Sequence, residues 1–442
     1  MNLLVQNATV VTMNPRREIL RGADILVEGG RIAEIGRGLK ALKGIHQTLD
    51  ATDAVVIPGL IHGHLHACQT LFRNRADGLE LLDWLRERIW PLEAAHDEAS
   101  MRTSAELTFA ELIRSGATAA LDMGTVRHTE IVFEAARDAG FRLTGGKSMM
   151  DAGQAVPAHL RETTSDSLAQ SLRLFRTWHG AADGRLRYAF APRFALSCTE
   201  ELLHEVASLA RELGVRVHTH ASENQTECDL VRRRTGMDNV EYLHSAGISG
   251  RHVTLAHCVW LTSREHRLLA ETGTIVCHCP SSNLKLGSGI AKIPELMAEG
   301  VAICLGADGA ACNNNLDMFV EMRLAALIHK PRLGPHAMPA AQVLELATLG
   351  GARALGLEAE IGSLEPGKRA DLAVLDLTGA HASPEGESVC GQIVYSARAE
   401  DVRDVIIDGR LVLRDRRLLT LDETAVSARA RTHAARVADR AA

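Results

Sequence analysis

The strongest constraint on the fold of this chain is a series of eight short apolar segments, each followed by a stretch with helical periodicity. The segments are VVIPGLI near residue 55, TAALDMG near 118, RLTGGKSMM near 142, LRYAFAPR near 186, VRVHTHA near 215, VTLAHCVW near 253, TIVCHCP near 274 and AICLGAD near 302. Several are almost continuously apolar, as expected of strands that are buried on both faces. Eight alternating strands and helices predict an α/β chain that closes into a parallel (β/α)8 barrel of the TIM type.

The two ends of the chain have a different pattern. ADILVEGGRIAEIG and VRDVIIDGRLVLRD each contain two alternating stretches joined at Gly-Gly or Asp-Gly, which is a strong hairpin signal. Neither end alone buries enough surface to be stable, so we expect residues 1–57 and 358–420 to form one small β-sandwich together. The barrel, residues 58–357, is then inserted between them. Residues 421–442 are expected to form a terminal surface helix with arginines on its exposed side.

Charge and composition exclude two classes of partner. Lys and Arg total 49 against 55 Asp and Glu, a net charge of −6 without a basic block, so no nucleic-acid partner is expected. No apolar run approaches the roughly 20 residues that cross a bilayer, and the start, MNLLVQNATVVTMNPRR, lacks the features of a secretory signal. Nine cysteines without paired spacing suit a reducing compartment. We therefore expect a cytoplasmic protein without a membrane partner.

Two histidines at the end of the first apolar segment indicate a metal site. His64 and His66 are two residues apart, and side chains at this spacing on a strand share one face. His220 and Asp308 each close another strand-like segment, and parallel barrels build their active sites at the carboxyl ends of their strands. Imidazole and carboxylate ligands are typical of a catalytic divalent ion, most often Zn²⁺, with Fe²⁺ or Mn²⁺ as alternatives.

A hydrolase that uses such an ion also needs a proton carrier. The ion lowers the pKa of a water molecule to near neutrality, and a nearby side chain must then move the water's proton. Glu223 follows His220 by three residues and is the candidate acid and base. His257 ends the sixth segment and can hydrogen-bond the attacking or developing oxygen. For His257 taken alone, a structural role is as well supported as a catalytic one.

The motifs that contain these residues resemble the amidohydrolase superfamily, and within it the deaminases of S-adenosylhomocysteine, methylthioadenosine and 5′-deoxyadenosine. They cover nearly the whole chain: VVIPGLIHGHLHACQTLFR, DWLRERIWPLEAAH, AELIRSGATAALDM, HTHASEN, AHCVWL, HCPSSNLKLGSGIA, LGADGAACNNNLDMFVEMRLAAL and IGSLEPGKRADLAVLDL. The resemblance implies one divalent metal ion with four ligands: His64, His66, His220 and Asp308. It also implies that Glu223 shuttles protons, that His257 lies near the attacked carbon and that Asp308 takes part in catalysis.

A further match concerns the substrate. In similar nucleoside-acting enzymes, a glutamate after a tryptophan-containing helix binds the two ribose hydroxyls. The stretch DWLRERIWPLE puts Trp84 in this helix and Glu93 at that glutamate, so the resemblance implies that both bind substrate. A carboxylate can accept both protons of a cis diol through charge-assisted hydrogen bonds, and Glu93 therefore favours a nucleoside. Without the resemblance, an ordinary helix-surface position would explain Glu93 equally well.

The chain departs from its relatives at positions near the expected substrate. Where they have a histidine after the fourth strand this chain has Arg193, and where they often have a serine after the metal aspartate it has Cys312. Arginine is larger and permanently charged, so Arg193 is expected to contact the substrate and to alter recognition of the sugar or its 5′ substituent. Residues 151–170 offer only Arg161 as a partner for a substrate carboxylate, which favours a small 5′ group over homocysteine.

Ligand set and resemblance together predict an aminohydrolase that cleaves a C–N bond of a cyclic amidine. The expected reaction converts 5′-deoxyadenosine, methylthioadenosine, S-adenosylhomocysteine or adenosine to the inosine analogue and ammonia. The alternative substrate is a free base or heterocycle such as guanine, 8-oxoguanine, a pterin or a triazine. A non-catalytic barrel scaffold is a third interpretation, which the complete ligand set disfavours. By analogy with relatives, we expect a homo-oligomer.

Overall fold

The computed structural model describes residues 2–39, 47–153 and 155–442. Its strands are β1 (Leu3–Val11), β2 (Ile19–Glu28), β3 (Arg31–Gly36), β4 (Gln47–Asp50), β5 (Ala54–Pro58), β6 (Leu60–Leu65), β7 (Ala117–Met123), β8 (Arg142–Gly146), β9 (Ser148–Met149), β10 (Leu186–Pro192), β11 (Arg216–Ala221), β12 (Val253–His257), β13 (Ile275–His278), β14 (Ile303–Leu305), β15 (Leu372–Asp376), β16 (Val402–Ile407), β17 (Arg410–Arg414) and β18 (Arg417–Leu418).

The α-helices are α1 (Leu81–Trp84), α2 (Trp90–Ala94), α3 (Glu98–Arg114), α4 (Thr129–Ala139), α5 (Thr164–Trp178), α6 (Glu200–Leu213), α7 (Gln225–Thr235), α8 (Asn239–Ser245), α9 (Ser263–Thr272), α10 (Pro280–Lys285), α11 (Ile293–Ala298), α12 (Met318–Leu327), α13 (Lys330–Leu333), α14 (Ala340–Glu345), α15 (Gly351–Leu355), α16 (Val389–Tyr395) and α17 (Glu423–Ala441). Short 3-10 helices span Ala67–Phe72, Ala195–Ser197 and Ala399–Asp401, and π-helical turns span Leu85–Ile89 and Leu346–Gly350. None of the described helices combines the length and apolar character needed to cross a membrane.

Eight parallel strands form the barrel, as predicted. Their hydrogen-bonded order is β6-β7-β8-β10-β11-β12-β13-β14, with the two-residue β9 added to β10. The last strand returns to the first through a parallel bridge between Leu65 and Asp308, and the Asp308 N–H donates to the carbonyl of His64 at 3.3 Å. This contact nearly closes the barrel, and it brings the carboxyl ends of β6 and β14 together.

The first predicted apolar segment is divided between two sheets. Its first half is β5 in the terminal sheet, and its second half is β6 in the barrel. Gly59 lies between them, where an added Cβ would be only 2.1 Å from Oγ1 of Thr118. The chain therefore crosses from one sheet to the other at Gly59, where a residue with a side chain would collide with Thr118.

Both ends of the chain contribute to the second sheet, as predicted. Nine strands are joined in one continuous order, β18-β17-β16-β15-β5-β1-β2-β3, with β4 on β1. The two predicted hairpins, β2 with β3 and β16 with β17, are antiparallel, whereas β4 and β5 pair with β1 in parallel. The β15–β5 pairing joins the C-terminal strands to the N-terminal ones.

A buried ion pair links the barrel to this sheet. Arg142, at the start of β8, donates from Nε and Nη2 to the carboxylate of Asp371, just before β15, at 2.7 and 3.0 Å. The same carboxylate accepts the backbone N–H of Asp408 from the loop after β16. Both charged side chains are buried, so their mutual pairing compensates for the lost hydration.

The terminal helix α17 packs on α3. Val426 and Val437 are buried on its inner side. Arg429 pairs with Glu106, and Arg440 pairs with Asp97, the N-cap of α3. Two of the four arginines of this helix therefore bind neighbouring carboxylates while remaining partly exposed to solvent.

Candidate active site

The residues expected to bind a metal converge at the carboxyl ends of three strands. His64 lies in β6 and His66 directly after it, His220 lies in β11, and Asp308 follows β14. The Nε2 atoms of His66 and His220 are 3.2 Å apart. Asp308 Oδ1 lies 3.2 Å from His64 Nε2 and 3.5 Å from His66 Nε2. The topology thus brings side chains from distant parts of the sequence to a common centre.

Hydrogen bonds to backbone carbonyls orient two of the imidazoles. His66 Nδ1 is 2.7 Å from the carbonyl oxygen of Met123, and His220 Nδ1 is 2.6 Å from that of Arg193. Burial lowers the pKa of His66 to about 3 and that of His220 well below its usual value, so both rings are neutral. Because a carbonyl only accepts, the single proton of each ring is on Nδ1, and each Nε2 presents a lone pair.

This donor set fits a divalent cation. The lone pairs of His66 Nε2 and His220 Nε2 point at each other across 3.2 Å, an arrangement that a cation between the nitrogens would stabilise. His64 Nε2 is buried and has no hydrogen-bond partner among the described residues. The candidate ligand atoms of His64, His66 and Asp308 all lie within 4.8 Å of one another. Three imidazoles and one carboxylate suit Zn²⁺, Fe²⁺ or Mn²⁺.

A second layer of side chains, which sequence reasoning missed, supports these residues. His64 Nδ1 is 2.8 Å from Nε2 of His218, and Asp308 Oδ2 accepts the hydroxyl of Ser282 at 2.7 Å. Such partners fix the orientation of metal ligands. His218 was detectable in principle, because it precedes His220 by two residues and therefore shares its face of β11.

Glu223 and His257 face each other beside this centre. Glu223 Oε2 lies 3.3 Å from His257 Nε2, and His257 Nδ1 lies 2.9 Å from the side-chain amide of Asn283. Burial, together with the charge of Asp308, raises the pKa of Glu223 well above its usual value. The other carboxyl oxygen, Glu223 Oε1, has no partner among the described residues. One face of this carboxyl group is therefore available to exchange a proton with a bound molecule.

Three residues at the centre have left-handed backbone conformations. Ser222, His257 and Asp308 have φ angles of 53, 74 and 62 degrees. For residues other than glycine this costs on the order of 1–3 kcal/mol each, and such conformations cluster at functional sites. At the ends of β11, β12 and β14 the unusual turns direct the strand-end side chains toward the pocket.

A pocket opens above the centre. It is lined by His66, Gln69, Leu81, Trp84, Leu85, Arg193, Phe194, His220, Glu223, Glu227, His257 and Asp308. Trp84, expected to bind substrate, lies in this wall, and its indole Nε1 has no partner among the described residues. Histidine and carboxylate groups thus meet an enclosed, partly apolar space, which is the composition of a small-molecule site.

The family model named Amidohydrolase family matches residues 55–412. This chain belongs to the amidohydrolase family. It is 38% identical over 441 residues to the 5′-deoxyadenosine deaminase of Methanosarcina acetivorans, covering 100% of this chain and 99% of the relative. It is 37% identical to the 5-methylthioadenosine/S-adenosylhomocysteine deaminase of Pelotomaculum thermopropionicum, covering 99% of each. The crystal structure of an adenosine deaminase from Xanthomonas campestris with bound zinc superimposes with a TM-score of 0.93 at 33% identity, covering 99% of this chain and 98% of that one.

The position of Glu93 in this amidohydrolase differs from the one expected for a free diol acceptor. Its two oxygens accept bonds from Arg193 Nη1 and Nη2 at 2.6 and 3.1 Å. Gln69 Nε2 also donates to Glu93 Oε1, at 3.0 Å. The glutamate therefore lies behind Arg193 and Gln69, which line the pocket in its place. Sequence reasoning missed Gln69, whose only signal is its position three residues after His66.

Arg161 and Cys312, which the sequence singled out near the expected substrate, lie outside the pocket lining of this amidohydrolase. Arg161 is exposed, so it does not supply a cation inside the pocket. Cys312 is fully buried, with its Sγ 3.1 Å from the carbonyl oxygen of Gly309. All nine cysteines are buried thiols without disulfides.

Proposed function

We propose that this protein is a metal-dependent hydrolytic deaminase of adenine nucleosides, acting on substrates such as 5′-deoxyadenosine, methylthioadenosine or adenosine. The observation that carries the proposal is the placement of Glu223 and His257, 3.3 Å apart, beside the cluster of candidate metal ligands at the base of the pocket. The similarity over nearly the full length to relatives with deaminase names supports the same reaction class.

Four residues would hold the ion: His64, His66, His220 and Asp308. When bound, a divalent ion would lower the pKa of a water molecule to near neutrality. Zinc is the proposed metal, because neutral imidazoles and one carboxylate are among its preferred ligands. The zinc in the structurally similar adenosine deaminase supports this choice.

The side chains around the pocket can move the protons that deamination requires. Glu223 takes a proton from the attacking water and passes it to N1 of the adenine ring, which makes C6 more electrophilic. His257 Nε2, which lies 3.3 Å from Glu223 Oε2 and 3.8 Å from Asp308 Oδ2, can hydrogen-bond the oxygen that adds to C6. Asp308 accepts the second proton of the water. Asp308 then passes this second proton to the amine, directly or through Glu223, the C6–N bond breaks, and ammonia and the inosine analogue leave.

A second candidate function is deamination of a free base or heterocycle, such as guanine, 8-oxoguanine, a pterin or an amino-triazine. One observation favours it: the carboxylate of Glu93, expected to bind the ribose hydroxyls, is already paired with Arg193. A substrate without a sugar would not need a free carboxylate at this position.

Ammonia release separates the two candidates. The zinc-loaded protein is incubated with adenosine, 5′-deoxyadenosine, methylthioadenosine, S-adenosylhomocysteine, guanine and 8-oxoguanine, and kcat/KM is measured for each. The proposal expects the highest value for an adenine nucleoside with a small 5′ group. A higher value for guanine or 8-oxoguanine would replace it with the second candidate.

Two further expectations stay predictions. Nine buried thiols without disulfides support a reducing cytoplasmic location, which fractionation of the source cells can test. The expected homo-oligomer rests on analogy with relatives, and size-exclusion chromatography with light scattering measures it directly.

A further inference from the structure

A buried network of three polar side chains lies in the wall of the pocket, beside the candidate metal ligands. Arg193, directly after β10, binds both oxygens of Glu93. Gln69 adds a third hydrogen bond to the same carboxylate. Side-chain exposure is 4% for Arg193 and 0% for Glu93, so neither charge is compensated by bulk water. The charges compensate each other, and the network is fixed in place.

The carboxylate of Glu93 has too few free lone pairs to hold a cis diol. A carboxylate offers about four acceptor positions, and Arg193 and Gln69 together occupy three of them. Two hydroxyl groups would need two positions. A diol could bind Glu93 only if the Arg193 pair opened, which would leave a buried charge without its partner.

The orientation of the Gln69 amide follows from the same network. Because the Glu93 carboxylate only accepts, the NH2 group of Gln69 must point toward it, and the amide oxygen must point away. This oxygen is buried and has no partner among the described residues. It occupies space next to Gly309, where an added Cβ would be 2.1 Å from it. Gly309 therefore leaves room for the acceptor of Gln69.

Arg193 and Gln69, which line the pocket, both keep hydrogen-bonding capacity that Glu93 does not use. Arginine has five N–H donors, of which Glu93 receives two, so Arg193 retains three. Gln69 lines the same wall, with its amide oxygen packed beside Gly309. One hydroxyl can donate to Gln69 and accept from Arg193, and it then satisfies both side chains.

We propose that Arg193 and Gln69 bind the non-reacting end of the substrate, with Glu93 as their buried counter-ion and not as a hydroxyl acceptor. The inference deepens the proposed function and rests on it. Its consequence is a relaxed requirement for the ribose diol: a nucleoside with a single 2′ or 3′ hydroxyl binds almost as well as one with both.

The test compares dissociation constants of adenosine, 2′-deoxyadenosine and 3′-deoxyadenosine. Calorimetry is performed on the zinc-loaded chain with E223Q, which prevents turnover. The same chain with R193H has a shorter side chain at this position and frees the two acceptor positions on Glu93 that Arg193 occupies. A third chain with R161H makes the same substitution at an exposed arginine outside the pocket.

With E223Q alone, the three dissociation constants are expected to agree within about tenfold. A site that depends on a substrate hydroxyl would bind the analogue that lacks this hydroxyl far more weakly. With R193H added, both deoxynucleosides are expected to bind at least about tenfold more weakly than adenosine. R161H leaves the ratios unchanged. Three results would overturn the inference. The first is a tenfold or larger preference for adenosine before R193H is introduced, and the second is that R193H does not alter the ratios of the dissociation constants. The third is that none of the three nucleosides binds. Ammonia release by the wild-type chain decides the proposed function separately.

Discussion

Glu223 Oε2 and His257 Nε2 lie 3.3 Å apart at the base of the pocket, and both side chains are almost completely buried. Neither residue belongs to the four expected metal ligands. The proposed roles in proton transfer and in metal binding fall on different residues, and the two can therefore be tested by different substitutions.

Replacing Glu223 with glutamine removes the proposed proton carrier and none of the expected metal ligands. We expect kcat for deamination to fall by at least about 10²- to 10⁴-fold while the metal content stays near one ion per chain. Ammonia release and elemental analysis of the same preparation measure both quantities. E98Q, at an exposed position in the first turn of α3, is the matched control. Undiminished turnover in E223Q would remove Glu223 from the mechanism.

His218 contacts the expected ligand His64 at 2.8 Å, so it should support metal binding without binding the ion itself. We expect H218A to weaken metal affinity by about 10- to 100-fold and H220A, which removes a ligand, to weaken it further. Competition with a chromogenic chelator measures the affinities. H244A changes an exposed histidine of α8 and should have no effect. Equal affinities in H220A and the unmodified chain would disprove the ligand assignment.

The Arg142–Asp371 pair should contribute strongly to stability, because removing one partner leaves the other charge buried. R142M is expected to lower the free energy of unfolding by about 3–5 kcal/mol in urea titrations. R264M, at a side chain that is 78% exposed and pairs with Glu241, should change it by less than about 1 kcal/mol. Similar effects of the two substitutions would show that burial of the pair is unimportant.

Asp122 should make stability depend on pH. Burial raises its pKa from the usual 3.8 to about 7, although its carboxylate accepts the Ala67 N–H at 2.7 Å. Between these values the folded chain binds a proton that the unfolded chain has lost, so stability falls as pH rises from 4 to 7 and then levels off.

D122N should lose this contribution, because asparagine resembles the protonated acid. The unfolding free energy of the wild type relative to D122N is expected to decline by up to about 1.4 kcal/mol per pH unit in that window. Urea titrations at several pH values measure the difference. Parallel stability curves for the two chains would contradict the account.

The sequence was sufficient to predict the barrel and the family, because apolar segments of strand length alternate with amphipathic helices and because the motifs span the chain. The same reasoning predicted that His64, His220 and Asp308 would share one end of the barrel, and the structure brings them together. Their roles as ligands stay predictions, as do those of Glu223 and His257.

Other features depend on contacts that a linear pattern does not encode. Glu93 and Arg193 are 100 positions apart, and their pairing depends on how the loop after β6 and the end of β10 pack around Gln69. The transition from β5 to β6 at Gly59 depends on the position of Thr118 in the neighbouring strand. Periodicity reports which face of an element is buried, but it does not report which polar side chains meet across the pocket.

The central claim is that one metal ion, held by residues from β6, β11 and β14, makes this pocket a deaminase. The most direct measurement removes bound metal with a chelator, returns zinc in steps and follows ammonia release from 5′-deoxyadenosine. The account predicts that activity rises in proportion to bound zinc and levels off at about one ion per chain, with one ammonia released per nucleoside consumed. Undiminished turnover by the metal-free chain, or no ammonia from any adenine nucleoside at full zinc loading, would contradict it.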